Sequence, residues 1–291
     1  AFAVFNPAVV APLVAQGWTL TDADTICEAR TAGATAQLHR ILGDRPAGLD
    51  RANELLAHAV EPLRPEGRPL YAGLLNRGLP GEPLADAWRR ADMLREYRGD
   101  SHTSAWTAAG FDATEIGLLT ELYWGVPPRS YIRTRAWSDA DLDAAEARLT
   151  DRGYLADGGF TPSGRAARED VERATDRQAR AVVEALGDEL DELVGILQSW
   201  GEAIRAARGY PASGPHDLAR AASCRRAGPR PNAARTGAAP GLGGAPGGPS
   251  GPRRGGAGVG AGAPVPGPAS VRGRAADTRA AGPPRAARRT R

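Results

Sequence analysis

The chain has 291 residues and a formal net charge of +3 at pH 7, and all 37 of its basic residues are Arg, which implies a gene rich in G and C. That length supports one large or two modest domains with real cores. No apolar run is long enough to span a membrane, no signal peptide is visible, and the two Cys, Cys27 and Cys224, fit neither a metal spacing nor a disulfide framework, so a reduced cytoplasmic protein with no metal and no cofactor is expected.

The chain opens at Ala1 inside sequence of structured character, and it is expected to be a fragment that lacks its N-terminus. From Phe2 to Ala109 the signals are helical. The segment TDADTICEARTAGATAQLHRILGD offers an N-cap at Thr21 or Asp22 and an apolar stripe through Ile26, Ala29, Gly33, Leu38, Ile41 and Leu42. LDRANELLAHAVEPL repeats the pattern with Leu49, Ala52, Leu55, Leu56 and Val60. Pro83 then precedes a third helix from Leu84 to Ala108, so residues 1–109 are expected to form an incomplete helical bundle.

That third helix carries a dense charged cluster, Arg95, Glu96, Arg98, Asp100 and His102, around Gly99. At about 100° per residue Arg95, Gly99 and His102 share one stripe with Trp88 and Trp106, Arg98 lies beside it, and Glu96 and Asp100 line one flank. Two readings stay open. In one, the charges are structural ion pairs to neighbouring helices and Gly99 permits close packing. In the other, they form an anion pocket in which two guanidiniums fork a carboxylate or phosphate, the acids orient them and His102 titrates.

After Gly110 the pattern changes. DATEIGLLTELYWG reads as a helix with Ile116, Leu119 and Tyr123 inward, and PPRSYIRTR as a short helix started by proline. SDADLDAAEARLTDRG is a third helix, with a Ser138 N-cap, Asp141 three residues on, and Leu142, Ala145 and Leu149 on one buried face. YLADGGFTPSG is a hairpin with its turn at Asp157, Gly158 and Gly159. A helix from Ser163 follows, then another from Asp188 to Ala207 with Leu190, Leu193, Leu197, Trp200 and Ile204 on one side. Residues 110–210 are therefore expected to be a winged helix-turn-helix with flanking helices.

The charge is segregated along this body. From Ala221 onward 13 Arg face the single acid Asp277, which leaves residues 1–220 with 24 basic and 33 acidic groups and a net charge of −9. Residues 211–291, rich in Ala, Gly, Pro and Arg, hold too few large apolar side chains to offset their ordering entropy and are expected to be disordered. An Arg- and Gly-rich arm can neutralise phosphates, yet this one lacks interleaved aromatics. GC-rich DNA read out of frame gives the same composition, so a frameshift after about residue 220 is the expectation.

Arg148, Leu149, Gly153, Thr161 and Gly164, with Phe160 in the usual leucine place, resemble the wing region of MarR-type regulators. More narrowly, FNP, LREYRGDSH, RAWSDADLDAAEARLTDRGYL and ERATDR together resemble a large actinobacterial family of SalK-type helix-turn-helix proteins, over residues 2–210. The resemblance implies a mainly α fold with a winged-helix domain, and a homodimer made partly on the terminal helix. Members extend upstream of Ala1 and end near the start of the tail.

The helix that would read DNA turns Asp139, Asp143 and Glu146 outward, which disfavours groove contact. Candidate phosphate contacts are Arg129, Arg133, Arg135, Arg148, Arg152, Arg165 and Arg168. His39 and His58 are isolated, Cys27 has no catalytic companions, and the Thr175, Asp176, Arg177 triplet reads as a helix-packing hydrogen-bond group. Two functions fit. The chain is a MarR-like regulator or regulator-derived binding protein that senses a small anion through the Arg95 to His102 cluster. Alternatively it is an enzyme or enzyme partner doing acid–base chemistry at His102 with Glu96 or Asp100; no nucleophile, metal set or phosphate loop accompanies that second reading.

Overall fold

The computed structural model describes residues 4–209; the expected tail and Cys224 lie outside them. The chain runs through α1 (Pro7–Gly17), α2 (Ala23–Leu42), α3 (Leu49–Val60), α4 (Pro69–Arg77) and the long α5 (Pro83–Ala108). It continues through α6 (Ala113–Trp124), a 3-10 turn (Ile132–Arg135), α7 (Asp139–Asp151), β1 (Leu155–Ala156) and β2 (Gly159–Phe160), and closes with α8 (Pro162–Gln178), α9 (Arg180–Leu186) and α10 (Leu190–Ala206). The protein is mainly helical, as expected, with one antiparallel pair registered Leu155 to Phe160 and Ala156 to Gly159.

Local chemistry explains most boundaries. Asp22, not Thr21, caps α2 by accepting from the Thr25 N–H at 2.7 Å. Asp112 and Glu115 make a full capping box on α6, and Ser138 with Asp141 makes another on α7. The hairpin turn is Asp157 and Gly158 alone, both at positive φ, the geometry of a two-residue type I′ connection, so Gly159 belongs to the strand. Thr161 caps α8, and a Cβ on Gly164 would collide with the Tyr154 carbonyl, which fixes how closely α8 leaves the hairpin.

Helix α5 holds the structure together because it contributes to three apolar clusters. Its C-terminal Ala105 and Trp106 join Ile116, Leu119, Leu142, Leu149 and Val171 of α6, α7 and α8. Leu84 and Ala87 join Ala52, Leu55 and Leu56 of α3, together with Leu193 and Trp200 of α10. Met93 and Tyr97 pack with Leu63 and Tyr71.

On α10, Leu193 and Trp200 are buried against α3, the Trp200 indole donates to the Ala47 carbonyl at 3.0 Å, and Leu190, Leu197 and Ile204 are half-buried. Two expectations change here. The stripe on α2 is buried only toward its end, where Leu38 and Leu42 pack, while Ile26 is exposed because no described element lies over it. The short proline-started helix is only the 3-10 turn, because Arg129 takes a left-handed φ of 57° and interrupts it.

Candidate functional site

The charged cluster on α5 fans out to three neighbours rather than closing on one ligand. Arg95 donates to Asp92 on its own helix at 3.0 Å and pairs with Glu96, and Asp92 in turn takes a bidentate contact from Arg30 of α2. Asp100 is buried and accepts from the Leu70 and Tyr71 N–H groups, both at 3.0 Å, so its carboxylate caps α4. Gly99 meets no neighbouring backbone; a Cβ there would touch only the Glu96 carboxylate at 3.4 Å. Close helix packing is therefore not what Gly99 provides.

The cap defines one expected outcome. Asp100→Ala leaves two N–H groups without their acceptor and should lower unfolding free energy by about 1–2 kcal/mol, whereas Asp100→Asn, which keeps an acceptor, should lose less. Urea denaturation of both variants checks this.

Arg98 and His102 turn to α8. The Arg98 guanidinium lies 2.8 Å from Glu172 and 3.6 Å from Asp176, and His102 Nδ1 lies 3.0 Å from the Thr175 hydroxyl. Thr175 is fully buried and donates to the Val171 carbonyl at 2.8 Å. Its hydroxyl hydrogen is thus committed, which assigns the ring proton to Nδ1 as donor to Thr175. The expected packing role of this threonine is met by that bond. Neither Glu96 nor Asp100 reaches His102, so the acid–base pair expected from the sequence is not assembled; the acid nearest the ring is Glu172, at 3.9 Å.

Arg98 and His102 border a cleft of about 210 Å³. Its walls include Trp106 of α5, Ile116 of α6, Trp124, and Tyr131, Ile132 and Arg135 of the segment before α7, with Arg168 and Glu172 of α8. Arg168 is 1% exposed, donates to Glu172 at 2.6 Å and lies 4.5 Å over the Tyr123 ring. Arg135 lies between the Phe5 and Tyr131 rings, at 4.8 and 4.6 Å, and donates to the Tyr131 hydroxyl at 2.8 Å. The Nε atoms of Arg135 and Arg168 are sealed from solvent with no acceptor. Arg168 is thus spent on Glu172, whereas Arg135 has no carboxylate partner among the described residues. The sequence holds no local signal for the cleft, because the cleft draws on α5, α6 and α8.

Burial pushes the His102 imidazole down to about 4, helped by Arg168 and Arg98 and opposed by Glu172. Although burial pushes Glu172 up, Arg168 beside it holds it below the usual carboxylate range. The unfolded chain takes up a proton at an ordinary histidine near pH 6.5 that the native ring refuses, so stability should fall as pH drops from about 6.5 to about 4. Glu172 adds a loss of the same sign at lower pH. Denaturation midpoints between pH 7.5 and 4.5 check the slope, which His102→Gln should flatten.

The remaining candidate cations are mostly spent. Arg129 pairs with Asp143 at 2.6 Å and Glu146 at 3.1 Å, Arg148 with Asp112 at 2.6 Å and Glu115 at 3.1 Å, and Arg152 with Glu115 at 3.1 Å. Arg165 lies 5.1 Å over the Phe160 ring, and Arg133 is exposed. His39 sits between Asp44 and Glu82, His58 near Glu189, and no group of three or more metal-ligating side chains occurs among the described residues. No helix among them is long and apolar enough to cross a membrane.

These observations define a mainly helical protein with a small hairpin and an Arg- and Trp-lined cleft on its longest helix. Residues 1–211 match a helix-turn-helix family, and the chain belongs to it. Neither a curated protein nor a solved structure matches the chain.

Proposed function

We propose that this is a MarR-like, SalK-type winged-helix protein, cytoplasmic and regulator-derived, that takes up a small anion in the cleft on α5. In this reading α6, the 3-10 turn, α7 and the hairpin are the winged helix, and the cleft lies against the segment that leads into α7. The observation that carries it is Arg135, a guanidinium in the cleft wall with no carboxylate within ion-pair distance among the described residues, beside Arg98 and His102. Of the α5 cluster, only Arg98 and His102 belong to this site.

DNA contact is secondary in this reading. Arg129 masks part of the acidic α7 face, and most cations that would meet phosphates are already paired. A homodimer belongs to the reading; we assign its contact to α1 and the turn after it, where Leu13, Trp18 and Leu20 are exposed and no charged side chain intervenes. Sedimentation showing only monomer at micromolar concentration removes that part.

Calorimetric titration of small carboxylates into the full chain tests the main claim. Arg98→Lys keeps the charge and loses the planar fork, so binding should weaken by about 1.5–3 kcal/mol while the melting temperature moves little. Arg135→Lys should act likewise. Intact binding in both variants, or no carboxylate binding by the parent chain, overturns the reading.

A further inference from the structure

We infer that the cup enclosed by α6, α7 and the hairpin is a second binding site, built for a primary ammonium on a short apolar body. It shares no lining residue with the cleft on α5 and does not depend on the anion reading above.

The cup has a volume of about 190 Å³, and its apolar walls are Leu118 and Leu122 of α6, Pro128, and Leu155 of β1. Among the described residues, polar side chains enter it only at Glu121 of α6 and at Glu146 and Thr150 of α7. None of the three has a hydrogen to give. The two carboxylates accept, and the Thr150 hydroxyl already donates to the Glu146 carbonyl at 2.8 Å. Capacity to accept remains, because Glu121 Oε1 takes the N–H groups of Tyr131 and Ile132 whereas Oε2 takes only that of Arg129. The lining therefore calls for a ligand that donates, and one with acceptors alone would leave these oxygens unmatched.

The positive charge follows from the count of ions around the cup. One cation, Arg129, serves three carboxylates of α7: Asp143 at 2.6 Å, Glu146 at 3.1 Å and Asp139 at 3.9 Å. Glu121 meets only backbone N–H groups. Burial, with a smaller push from Glu146, raises the Glu121 carboxyl, and a cation held beside the two acids would oppose that rise. The head is a primary ammonium because the described lining has no aromatic face for a quaternary one, while its oxygens need N–H groups. The body is apolar because the leucines and Pro128 make most of the wall, and the volume suits a single ring on a short arm.

Calorimetric titration into the full chain at neutral pH separates these parts with three probes: 2-phenylethylammonium, 2-phenylethanol, which lacks the charge, and methylammonium, which lacks the apolar body. The first should bind about tenfold tighter than either of the others, the low end for a hydrogen bond to a charged group. Two variants locate the site, each first shown to melt cooperatively. Glu146→Gln removes one carboxylate while Arg129 keeps Asp143, so the cation should lose most of its advantage over the alcohol. Thr150→Lys, at an exposed position on the rim, supplies an ammonium from the chain itself, and binding of 2-phenylethylammonium should vanish. Alcohol binding as tight as the cation shows a cup indifferent to charge and overturns the inference. Methylammonium binding as tight shows a diffuse acidic surface and overturns it too. Cation binding unchanged in either variant places the amine elsewhere, and no saturable binding of 2-phenylethylammonium removes the site altogether.

Discussion

Glu121→Ala should destabilise the protein by about 3–5 kcal/mol, the range for removing one partner of a buried, charged hydrogen-bond network. Glu121 is 1% exposed, yet its carboxylate accepts three backbone N–H groups, from Arg129 at 2.6 Å, Tyr131 at 2.6 Å and Ile132 at 2.8 Å. Burial raises its carboxyl above the ordinary range, and those three N–H groups oppose the rise by favouring the charged form. Alanine would leave all three donors without their acceptor and open a cavity at the end of α6. Glu121→Gln keeps one carbonyl oxygen but aims an amide N–H₂ at a donor, so it should fall between parent and alanine. Because Tyr131, Ile132 and Arg135 hang on this segment, carboxylate binding should disappear with the fold of the segment. Thermal melts and calorimetry on both variants check the order. An alanine variant as stable as the parent would show that the loop is held by other contacts.

The same residue explains why the segment before α7 is hard to read from sequence. PPRSYIRTR has a proline start and three arginines, which locally favour a helix, but its N–H groups are claimed by a carboxylate on α6 and its Ile132 side chain fills the space above Gly117, where a Cβ would collide with it. Elements whose ends are fixed by near neighbours in sequence are legible: the Asp22 cap, the Ser138 and Asp141 box, and the Asp157 and Gly158 turn. Helix α4 is not, since its cap is Asp100, thirty residues away. Helix α1 has no buried residue to impose a period, and Pro12 lies inside it. At the site, the crowding of Arg98 and His102 on one helix is visible in the sequence. The parts that give them a cleft, Arg135 between two rings and Arg168 beneath Glu172, come together only when α6, α7 and α8 fold against α5.

Arg168 and Glu172 give the sharpest separation between fold and site. Arg168 is wholly buried, and its charge is met by Glu172 at 2.6 Å and by the face of Tyr123. Glu172→Leu therefore strands a buried guanidinium and should cost about 3–5 kcal/mol. Arg168→Met should cost less, because Glu172 keeps Arg98 at 2.8 Å. The double variant Arg168→Met, Glu172→Leu removes both charges and fills their volume with apolar atoms, and it should be more stable than Glu172→Leu alone. A double-mutant cycle read by urea denaturation measures the coupling; simple additivity of the two single losses would mean that the pair does not act as a unit. The cleft's spare charge sits on Arg135, outside this pair, and Arg98 retains Asp176 when Glu172 is gone. The double variant should thus still bind a small carboxylate, whereas Arg135→Lys should not bind it tightly though its fold is intact. If the double variant instead loses the anion while melting like the parent, the charge that attracts the ligand resides on Arg168, and Arg135 is a packing residue between Phe5 and Tyr131.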